Sequence, residues 1–293
     1  MTMTIETQDN PTTQSATPTH DVDTVAHIDG DSFLKNYIQP KQPLVITGMM
    51  DSWPAMNKWS FEFFRDLNSE STVHIEEGNI MQGETGFRKQ TFRDYIQQLI
   101  EQDSESAAGA YLSVFKVFDE FPQLRDDVDF SLLNQHKIKH STVGWLGPAG
   151  TVTGYHIDWG DNILAQVHGR KCVHLAAPED TPNMYVSKKF DQGARLSEVD
   201  LHNWDEEKFP LFGKVKHQKI ILDAGQMLFI PRGWWHHVES MDKSISVSNL
   251  TYDLSGILFD AIPHRIKQIV HNAGLWKCDC TCHVWRDGKW VRK

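Results

Sequence analysis

The sequence predicts a mainly β protein, a barrel or sandwich with α/β elements before it and helices after it. Between Ala110 and Asp253, short apolar runs alternate with turn residues, a pattern typical of barrels and sandwiches. The 293 residues include 40% hydrophobic and 11% aromatic residues, enough for one large core. We therefore predict one domain over residues 25–253, between an N-terminal tail (1–24) and a C-terminal extension (254–293).

The first 24 residues are rich in Thr, Ser, Asp and Pro and hold almost no large apolar side chains. Such a segment cannot bury enough apolar surface to offset the entropy lost on ordering, so we expect residues 1–24 to be disordered.

The region before the barrel is predicted to contain helices and short strands. A helix is expected over Ser32–Ile38 and a strand over Pro43–Thr47. Ser60 and Thr91 each precede a helical pattern and are predicted N-caps. Between those helices, "STVHIEEG" (71–78) alternates as a strand does. These elements are expected to pack outside the barrel.

The barrel itself is predicted to consist of nine segments that combine apolar, β-branched residues with flanking Gly, Pro or Asp. They are "AYLSVF" (110–115), "STVGWLG" (141–147), "TVTGYHID" (151–158), "NILAQVHG" (162–169), "KCVHLAAP" (171–178), "KIILDAG" (219–225), "QMLFIP" (226–231), "HHVES" (236–240) and "SISVSNLTYD" (244–253).

The C-terminal extension begins with helical spacing in "SGILFDAIPHRIKQIVHNAGL" (255–275), for which Gly274 is a predicted stop. In the following "CDCTCH", alternation on a strand would point three thiols to one side and His283 to the other. One short stretch is a poor zinc cage by itself, because zinc ligand pairs are usually separated by a longer loop. We interpret the cysteines as buried reduced thiols and leave open a metal or redox role, shared with a partner chain. They are Cys278, Cys280 and Cys282.

Charge and composition exclude several classes of function. The net charge of −10 disfavours a general nucleic-acid surface, and no apolar run is long enough to span a membrane. The N-terminus lacks the pattern of a secretory signal, and the four cysteines do not resemble an extracellular disulfide framework. We expect a cytoplasmic location, with a nuclear one left open.

A metal motif is the main functional signal, and three His-x-acid triplets compete for it. His27-Ile28-Asp29 lies at the edge of the tail, and His74-Ile75-Glu76 is interpreted as a sheet-surface histidine with an acidic neighbour. His156-Ile157-Asp158 differs because of the spacing around it. Five residues separate Gly150 from His156, and five residues likewise separate Gly225 from the segment "PRG" (231–233). Two residues then separate that segment from His236. These two spacings resemble the paired metal motifs of cupin barrels. They favour a double-stranded β-helix, or jelly roll, as the fold.

The chemistry of this residue set points to iron. His156 and Asp158 share one face of a strand, and with His236 they would occupy one face of an octahedral ion. Three positions remain open for substrate and oxygen, which suits non-haem Fe(II) better than zinc. His237 is expected to point to the opposite face of its strand.

Over residues 40–253 the sequence resembles the JmjC-type cupin oxygenases, which use Fe(II), 2-oxoglutarate and O2, and most of all the branch of the asparaginyl hydroxylase called factor inhibiting hypoxia-inducible factor. His156, Asp158 and His236, the last within "FIPRGWWHHVES", match that family's iron ligands. Other matched positions are implied to contact 2-oxoglutarate: Tyr111, Thr153, Asn162, Lys171 and Asn249. Of these, Thr153 and Lys171 would hold its distal carboxylate. Ser113 departs from the family, which has Gln there.

The resemblance implies hydroxylation of a protein or peptide side chain, with release of succinate and CO2, and a homodimer formed through the C-terminal helices. A lysine demethylase, or a hydroxylase of a small molecule or tRNA base, would use the same core. A cupin dioxygenase or isomerase without 2-oxoglutarate would not need Lys171, Thr153 and Asn249. A non-catalytic interaction protein would tolerate loss of a metal ligand.

Overall fold

The computed structural model describes residues 22–77, 86–102, 110–286 and 289–292, so most of the predicted tail lies outside the described residues. The first strand, β1 (Asp23–Val25), pairs in parallel with β2 (Leu44–Ile46). The predicted tail boundary at residue 24 therefore falls inside a strand. Composition did not reveal this strand because its order comes from backbone pairing with a distant segment.

The N-terminal part of the chain contains four short helices: α1 (Gly30–Phe33), α2 (Pro54–Lys58), α3 (Phe61–Asp66) and α4 (Phe92–Glu101). A π-helical segment, Leu34–Ile38, continues α1. Both predicted caps are confirmed. Ser60 Oγ accepts a hydrogen bond from the Phe63 N–H at 3.1 Å, and Thr91 Oγ1 accepts one from the Asp94 N–H at 3.1 Å.

The strands form two main sheets, which confirms the predicted double-stranded β-helix. The further strands are β3 (Thr72–Glu77), β4 (Gly86–Thr91), β5 (Ala110–Phe115), β6 (Lys139–Gly147), β7 (Val152–Asp158), β8 (Asp161–His168), β9 (Lys171–Ala176), β10 (Ala194–Leu196), β11 (Gln218–Leu222), β12 (Met227–Ile230), β13 (Trp235–Ser240) and β14 (Ser244–Tyr252). One sheet has the order β1-β2-β12-β8-β14-β6-β5-β3-β4, and the other has the order β10-β7-β13-β9-β11.

Short helices occupy the loops of the barrel. They are α5 (Val117–Glu120), α6 (Ser131–Asn134) and three 3-10 turns, Pro122–Asp127, Pro178–Asn183 and Phe212–Lys214.

Apolar side chains on both faces of the larger sheet explain why its central strands are nearly continuous apolar runs. In β8, Ile163 and Ala165 pack with the N-terminal helices, whereas Leu164 packs in the cluster that also holds Val173 and Leu228. A strand buried on both faces loses the simple apolar and polar alternation. The barrel interior therefore lies between the two sheets, where the polar residues of the site are also found.

The C-terminal extension consists of α7 (Leu254–Gly256), a π-helical segment (Ile257–Ala261), α8 (Ile262–Asn272) and a hairpin of β15 (His283–Arg286) and β16 (Lys289–Arg292). Gly274, with φ of 73°, follows α8 as predicted. The cysteine segment precedes β15 and does not form a regular strand, so the expected placement of three thiols opposite His283 is wrong. Among the described helices, none has the length and apolar character of a membrane span.

Candidate metal centre and co-substrate pocket

The three predicted metal ligands meet inside the barrel. His156 in β7 and His236 in β13 are directly paired across neighbouring antiparallel strands. Asp158 Oδ1 lies 3.7 Å from His156 Nε2, and Asp158 Oδ2 lies 3.4 Å from His236 Nε2. One ligand atom from each residue falls within 4.8 Å of the others, so a single ion can contact all three. The structure thus brings together two segments that are about eighty residues apart in the sequence.

Backbone hydrogen bonds orient both imidazoles toward this point. His156 Nδ1 lies 2.8 Å from the Gly154 carbonyl, and His236 Nδ1 lies 3.2 Å from the Trp234 carbonyl. A carbonyl can only accept, so each Nδ1 carries the proton and each Nε2 presents a lone pair to the metal position. The ring orientations are therefore fixed by the fold.

The local electrostatics favour the protonation states that a metal requires. Burial and, to a lesser extent, nearby His236 lower the pKa of His156 to about 4, so this imidazole is neutral at pH 7. For Asp158, burial alone would raise the pKa. The hydrogen bond and charge of His236, together with His156, outweigh burial and lower it. A neutral imidazole beside an ionised carboxylate matches the donor set of non-haem iron.

A small cavity of about 30 Å³ adjoins the triad. Four of the five residues expected to contact 2-oxoglutarate line it: Tyr111, Thr153, Asn162 and Lys171. The cavity also has an apolar wall, formed by Leu164, Ile230 and Val238. This combination of an apolar wall and convergent polar groups is typical of small-molecule sites.

Lys171 is the most informative residue in this cavity. Its side chain is 2% exposed, and its Nζ donates to the Tyr111 hydroxyl at 2.9 Å. In the described part of the chain, no carboxylate lies within ion-pair distance of this ammonium group. Burial consequently lowers the pKa of Lys171 to about 7. A buried ammonium group without a carboxylate partner could hold an anionic ligand, because a buried charge is costly unless it is paired.

Thr153 reaches the cavity because of an irregularity in β7. Strict alternation from His156 would turn the side chain of residue 153 to the other sheet face. The register shifts between the His236–His156 pair and the Val238–Thr153 pair, however, so one extra residue of β7 is accommodated. Such a bulge reverses the facing of the residues beyond it. Thr153 and His156 therefore line the same cavity.

The two predicted amides differ in position. Asn162 is 5% exposed, and its Nδ2 lies 3.4 Å from Asp158 Oδ2, while its Oδ1 is buried without a hydrogen-bond partner among the described residues. Asn249 is not among the residues that line the cavity. Its amide is bonded to Thr142 and Asn134 instead. Neighbouring residues in a strand face opposite ways, and Ser248 is the one that faces the cavity.

Two further lining residues, Trp145 and Ser248, were missed by the sequence reasoning. The indole N–H of Trp145 donates to Ser248 Oγ at 2.9 Å. The signal that could have identified this face is the alternation in β14, where Ser244, Ser246 and Ser248 are all buried polar residues. Buried hydroxyls at every second position indicate a polar interior on that side of the strand.

The other His-x-acid triplets have structural roles. The Asp29 carboxylate caps α1 by accepting from the Ser32 N–H at 2.9 Å. In β3, His74 is exposed, and Glu76 accepts a hydrogen bond from Ser113 at 2.5 Å. Burial raises the pKa of Glu76 to about 7. Ser113, the residue that departs from the family pattern, thus donates its hydrogen bond to Glu76 in the neighbouring strand β3.

His237 behaves as predicted for a residue on the opposite strand face. Its Nε2 lies 2.9 Å from Glu239 Oε1, and its ring packs near Tyr155 and His174, away from the triad.

A double-stranded β-helix with a His-x-Asp and a distant His converging inside it defines the class of the cupin barrels. Comparison with family models agrees with this geometry, since the model described as a cupin-like domain matches residues 30–253. The chain belongs to the cupin-like domain family.

Similar proteins narrow the class to its JmjC type. The chain is 35% identical over 225 residues to lysine-specific demethylase 8 of Xenopus tropicalis, covering 74% of this chain and 50% of that protein. It is 32% identical over 237 residues to JmjC domain-containing protein D of Dictyostelium discoideum, covering 74% and 53%. HSPB1-associated protein 1 of Homo sapiens is 30% identical over 234 residues, covering 71% and 47%.

The chain spans about half the length of these relatives. Their names support a JmjC-type cupin domain, which the motifs had indicated. They do not support the narrower resemblance to the asparaginyl hydroxylase branch.

Proposed function

We propose that this protein is an Fe(II)- and 2-oxoglutarate-dependent oxygenase that acts on a side chain of a protein or peptide. The observation that carries the proposal is Lys171, an ammonium group buried beside the triad with only the Tyr111 hydroxyl as its hydrogen-bond partner in the described residues. A cupin enzyme that does not use a dicarboxylate has no need of such a group. The distal carboxylate of 2-oxoglutarate would provide the missing negative charge.

The residues present fit both groups. His156, Asp158 and His236 would hold the iron. Asn162, whose Oδ1 is buried without a hydrogen-bond partner among the described residues, lines the same cavity. When bound, Fe(II) and 2-oxoglutarate supply the oxidation of a C–H bond by O2, with conversion of the keto acid to succinate and CO2. The chain's part would be to position these groups. Lys171, Tyr111 and Thr153 would hold the far end of the keto acid, and Leu164, Ile230 and Val238 would exclude water from its methylene chain.

The test measures succinate formation and metal content in variants with the same fold. We expect Asp158→Ala to abolish 2-oxoglutarate turnover and Fe(II) retention, because two imidazoles alone leave the ion weakly held. His237→Gln is the matched control, since the adjacent histidine faces away and the variant should keep the metal. Circular dichroism verifies folding in both. Normal succinate formation by Asp158→Ala would refute the assignment of the metal centre.

A second measurement gives the affinity for 2-oxoglutarate. We expect Lys171→Met to weaken 2-oxoglutarate binding by roughly 30-fold or more, because it removes a buried charge partner worth about 2–5 kcal/mol. Metal binding should be unchanged, since Lys171 is not a ligand. Equal affinity of the variant and the wild type for 2-oxoglutarate would refute the assignment of Lys171 to its distal carboxylate.

Lysine demethylation is the second candidate reaction, and a specific observation favours it: relatives that cover 74% of this chain are named lysine-specific demethylases. Both reactions begin with oxidation of a C–H bond, so the same triad serves either. Mass spectrometry of a peptide library separates them. A gain of one oxygen atom indicates hydroxylation, and loss of a methyl group from N-methyl-lysine, with release of formaldehyde, indicates demethylation.

We also propose that the protein forms a homodimer through its C-terminal helices. Several large apolar residues of this region are exposed: Leu258, Phe259, Ile262, Ile266 and Ile269. Their spacing places them along one side of the helical segment, which favours a second copy as the partner. A cytoplasmic location remains our proposal from cysteine usage, to be tested by cell fractionation.

A further inference from the structure

We propose that the C-terminal extension contains a second metal site, a structural zinc site formed by His271, Cys280, Cys282 and His283. One ligand atom from each of these residues lies within 4.8 Å of the other three. His271 comes from the end of α8, and the other three residues come from the segment that leads into β15. The cysteine segment is a poor zinc cage by itself. The helix supplies the ligand that completes it.

The separations between the ligand atoms match the edges of a zinc tetrahedron. Zn–N bonds near 2.0–2.1 Å and Zn–S bonds near 2.3 Å give edges of about 3.3 Å between two nitrogens and about 3.6 Å between nitrogen and sulfur. Here His271 Nε2 lies 3.1 Å from His283 Nδ1. Cys282 Sγ lies 3.4 Å from the first nitrogen and 3.2 Å from the second, and Cys280 Sγ lies 3.8 Å from His283 Nδ1.

Hydrogen bonding among the four side chains does not account for this arrangement. His283 Nδ1 is approached at once by His271 Nε2, Cys282 Sγ and Cys280 Sγ. An imidazole nitrogen has either one proton or one lone pair, so it can make one good hydrogen bond, not three. A single cation at the centre of the group satisfies all four ligand atoms together.

The surroundings of His271 fix the ring in the orientation that a metal ligand needs. Its Nδ1 lies 2.9 Å from the carbonyl oxygen of Trp276, which can only accept a hydrogen bond. Nδ1 therefore carries the proton, and Nε2 presents its lone pair to the cluster. The ring is 1% exposed and packs against Phe190, with 4.9 Å between ring centroids. Cys278 approaches this ring from its Nδ1 edge, at 3.6 Å, and so lies outside the cage.

The donor set selects zinc. Two thiolates and two neutral imidazoles form the Cys2His2 set of closed structural zinc sites, and their charge of −2 balances a divalent ion. A two-iron cluster with the same residue types would hold the cysteines and the histidines on different irons. Mutual separations within 4.8 Å fit one ion instead.

A zinc ion here would fasten the C-terminal segment next to the oxygenase centre. The Phe190 N–H donates to the Asp279 carbonyl at 2.8 Å, the Thr281 N–H donates to the Phe190 carbonyl at 3.1 Å, and Thr281 Oγ1 donates to Asp191 at 2.6 Å. Phe190 and Asp191 lie just before β10, in which Ala194 pairs with Asp158 of β7. The site would thus support the edge strand beside the iron ligands.

The experiment measures zinc in the full chain with the oxygenase centre disabled, so that the two sites are not confused. In the Asp158→Ala protein, we expect elemental analysis to give about one zinc ion per chain. Adding Cys282→Ser should reduce it to a small fraction. Adding Cys278→Ser instead is the matched control and should leave zinc in place. Absence of zinc from the Asp158→Ala protein, or equal loss in both cysteine variants, would overturn the proposal.

A second measurement does not require a cysteine variant to fold. Modification of the thiols in the Asp158→Ala protein with an organomercurial should release one zinc ion per chain to a colorimetric chelator. After replacement of zinc by Co(II), we expect a thiolate-to-cobalt charge-transfer band and the visible bands of tetrahedral cobalt. A chain that releases no zinc on thiol modification and shows no such bands would refute the site.

Discussion

Among single residues, Lys171 is the one whose burial has the clearest chemical consequence. Its side chain is buried, hydrogen-bonded to Tyr111, and its pKa is lowered to about 7 by burial. In the free protein this lysine is therefore protonated below about pH 7 and largely neutral at pH 8.5. A bound dicarboxylate favours the charged form and raises the pKa again. Binding at alkaline pH must then be accompanied by uptake of a proton.

We therefore expect the affinity for 2-oxoglutarate to be constant below about pH 7 and to fall up to about tenfold per pH unit above it. Calorimetric titration at pH 8.5, with Mn(II) as the metal, in buffers of different ionisation enthalpy measures the proton uptake. Lys171→Arg is the control, because arginine stays charged and removes the protonation step. An identical proton uptake in the wild type and this variant would contradict the assignment to Lys171.

Among the structural elements, the hairpin of β8 and β9 carries Lys171 into the cavity, and its turn depends on Gly169. This glycine has φ of 71°, and a Cβ added there would lie 2.2 Å from the backbone carbonyl oxygen of Lys243. That oxygen belongs to the connection between β13 and β14, so it cannot move without displacing the strands beside it. A side chain at residue 169 would therefore disturb both sheets.

We expect Gly169→Ala to lower the free energy of unfolding by roughly 3 kcal/mol, from left-handed strain plus the clash. Gly150→Ala is the matched control, because Gly150 has φ of 77° but has no atom within 4 Å of an added Cβ. It should lose only ~1 kcal/mol. Urea denaturation measures both values. Equal losses in the two variants would show that the contact with Lys243 is unimportant.

At the scale of the whole molecule, the dimer that we propose would form through the exposed apolar side of the C-terminal helices. Ile266 is 56% exposed and Phe259 is 77% exposed, and both lie on this side. We expect light scattering to give the mass of a dimer for the wild type, and of a monomer for Ile266→Glu, because a charge at the centre of the interface must be desolvated. Lys267→Glu, on a neighbouring side of α8, should stay dimeric. A monomeric wild type would end this proposal.

Much of the fold could be predicted from the sequence because its signals are local. The nine barrel strands and the caps at Ser60 and Thr91 follow from β-branched runs, turn residues and hydroxyl side chains within a few positions of each other. The triad could be predicted as well. Spacing relative to Gly150 and Gly225 distinguished His156 and Asp158 from two similar triplets, and the structure brings them to His236.

Other features required the tertiary structure because they depend on pairing between distant segments. The bulge in β7 turns Thr153 into the cavity, and a sequence pattern with period two gives no sign of it. The register of β14 directs Ser248, and not Asn249, into the same space. The strand β1 exists because β2 lies beside it.

The sequence by itself thus determined the class of fold, the identity of the three candidate metal ligands and the presence of a lysine after the first motif, since each is recorded in the type and spacing of nearby residues. Only the tertiary structure decided that Lys171 is buried without a carboxylate partner among the described residues, and that His271 joins the cysteine segment. Burial and contact between distant residues arise from packing of the whole chain, and no local pattern encodes them.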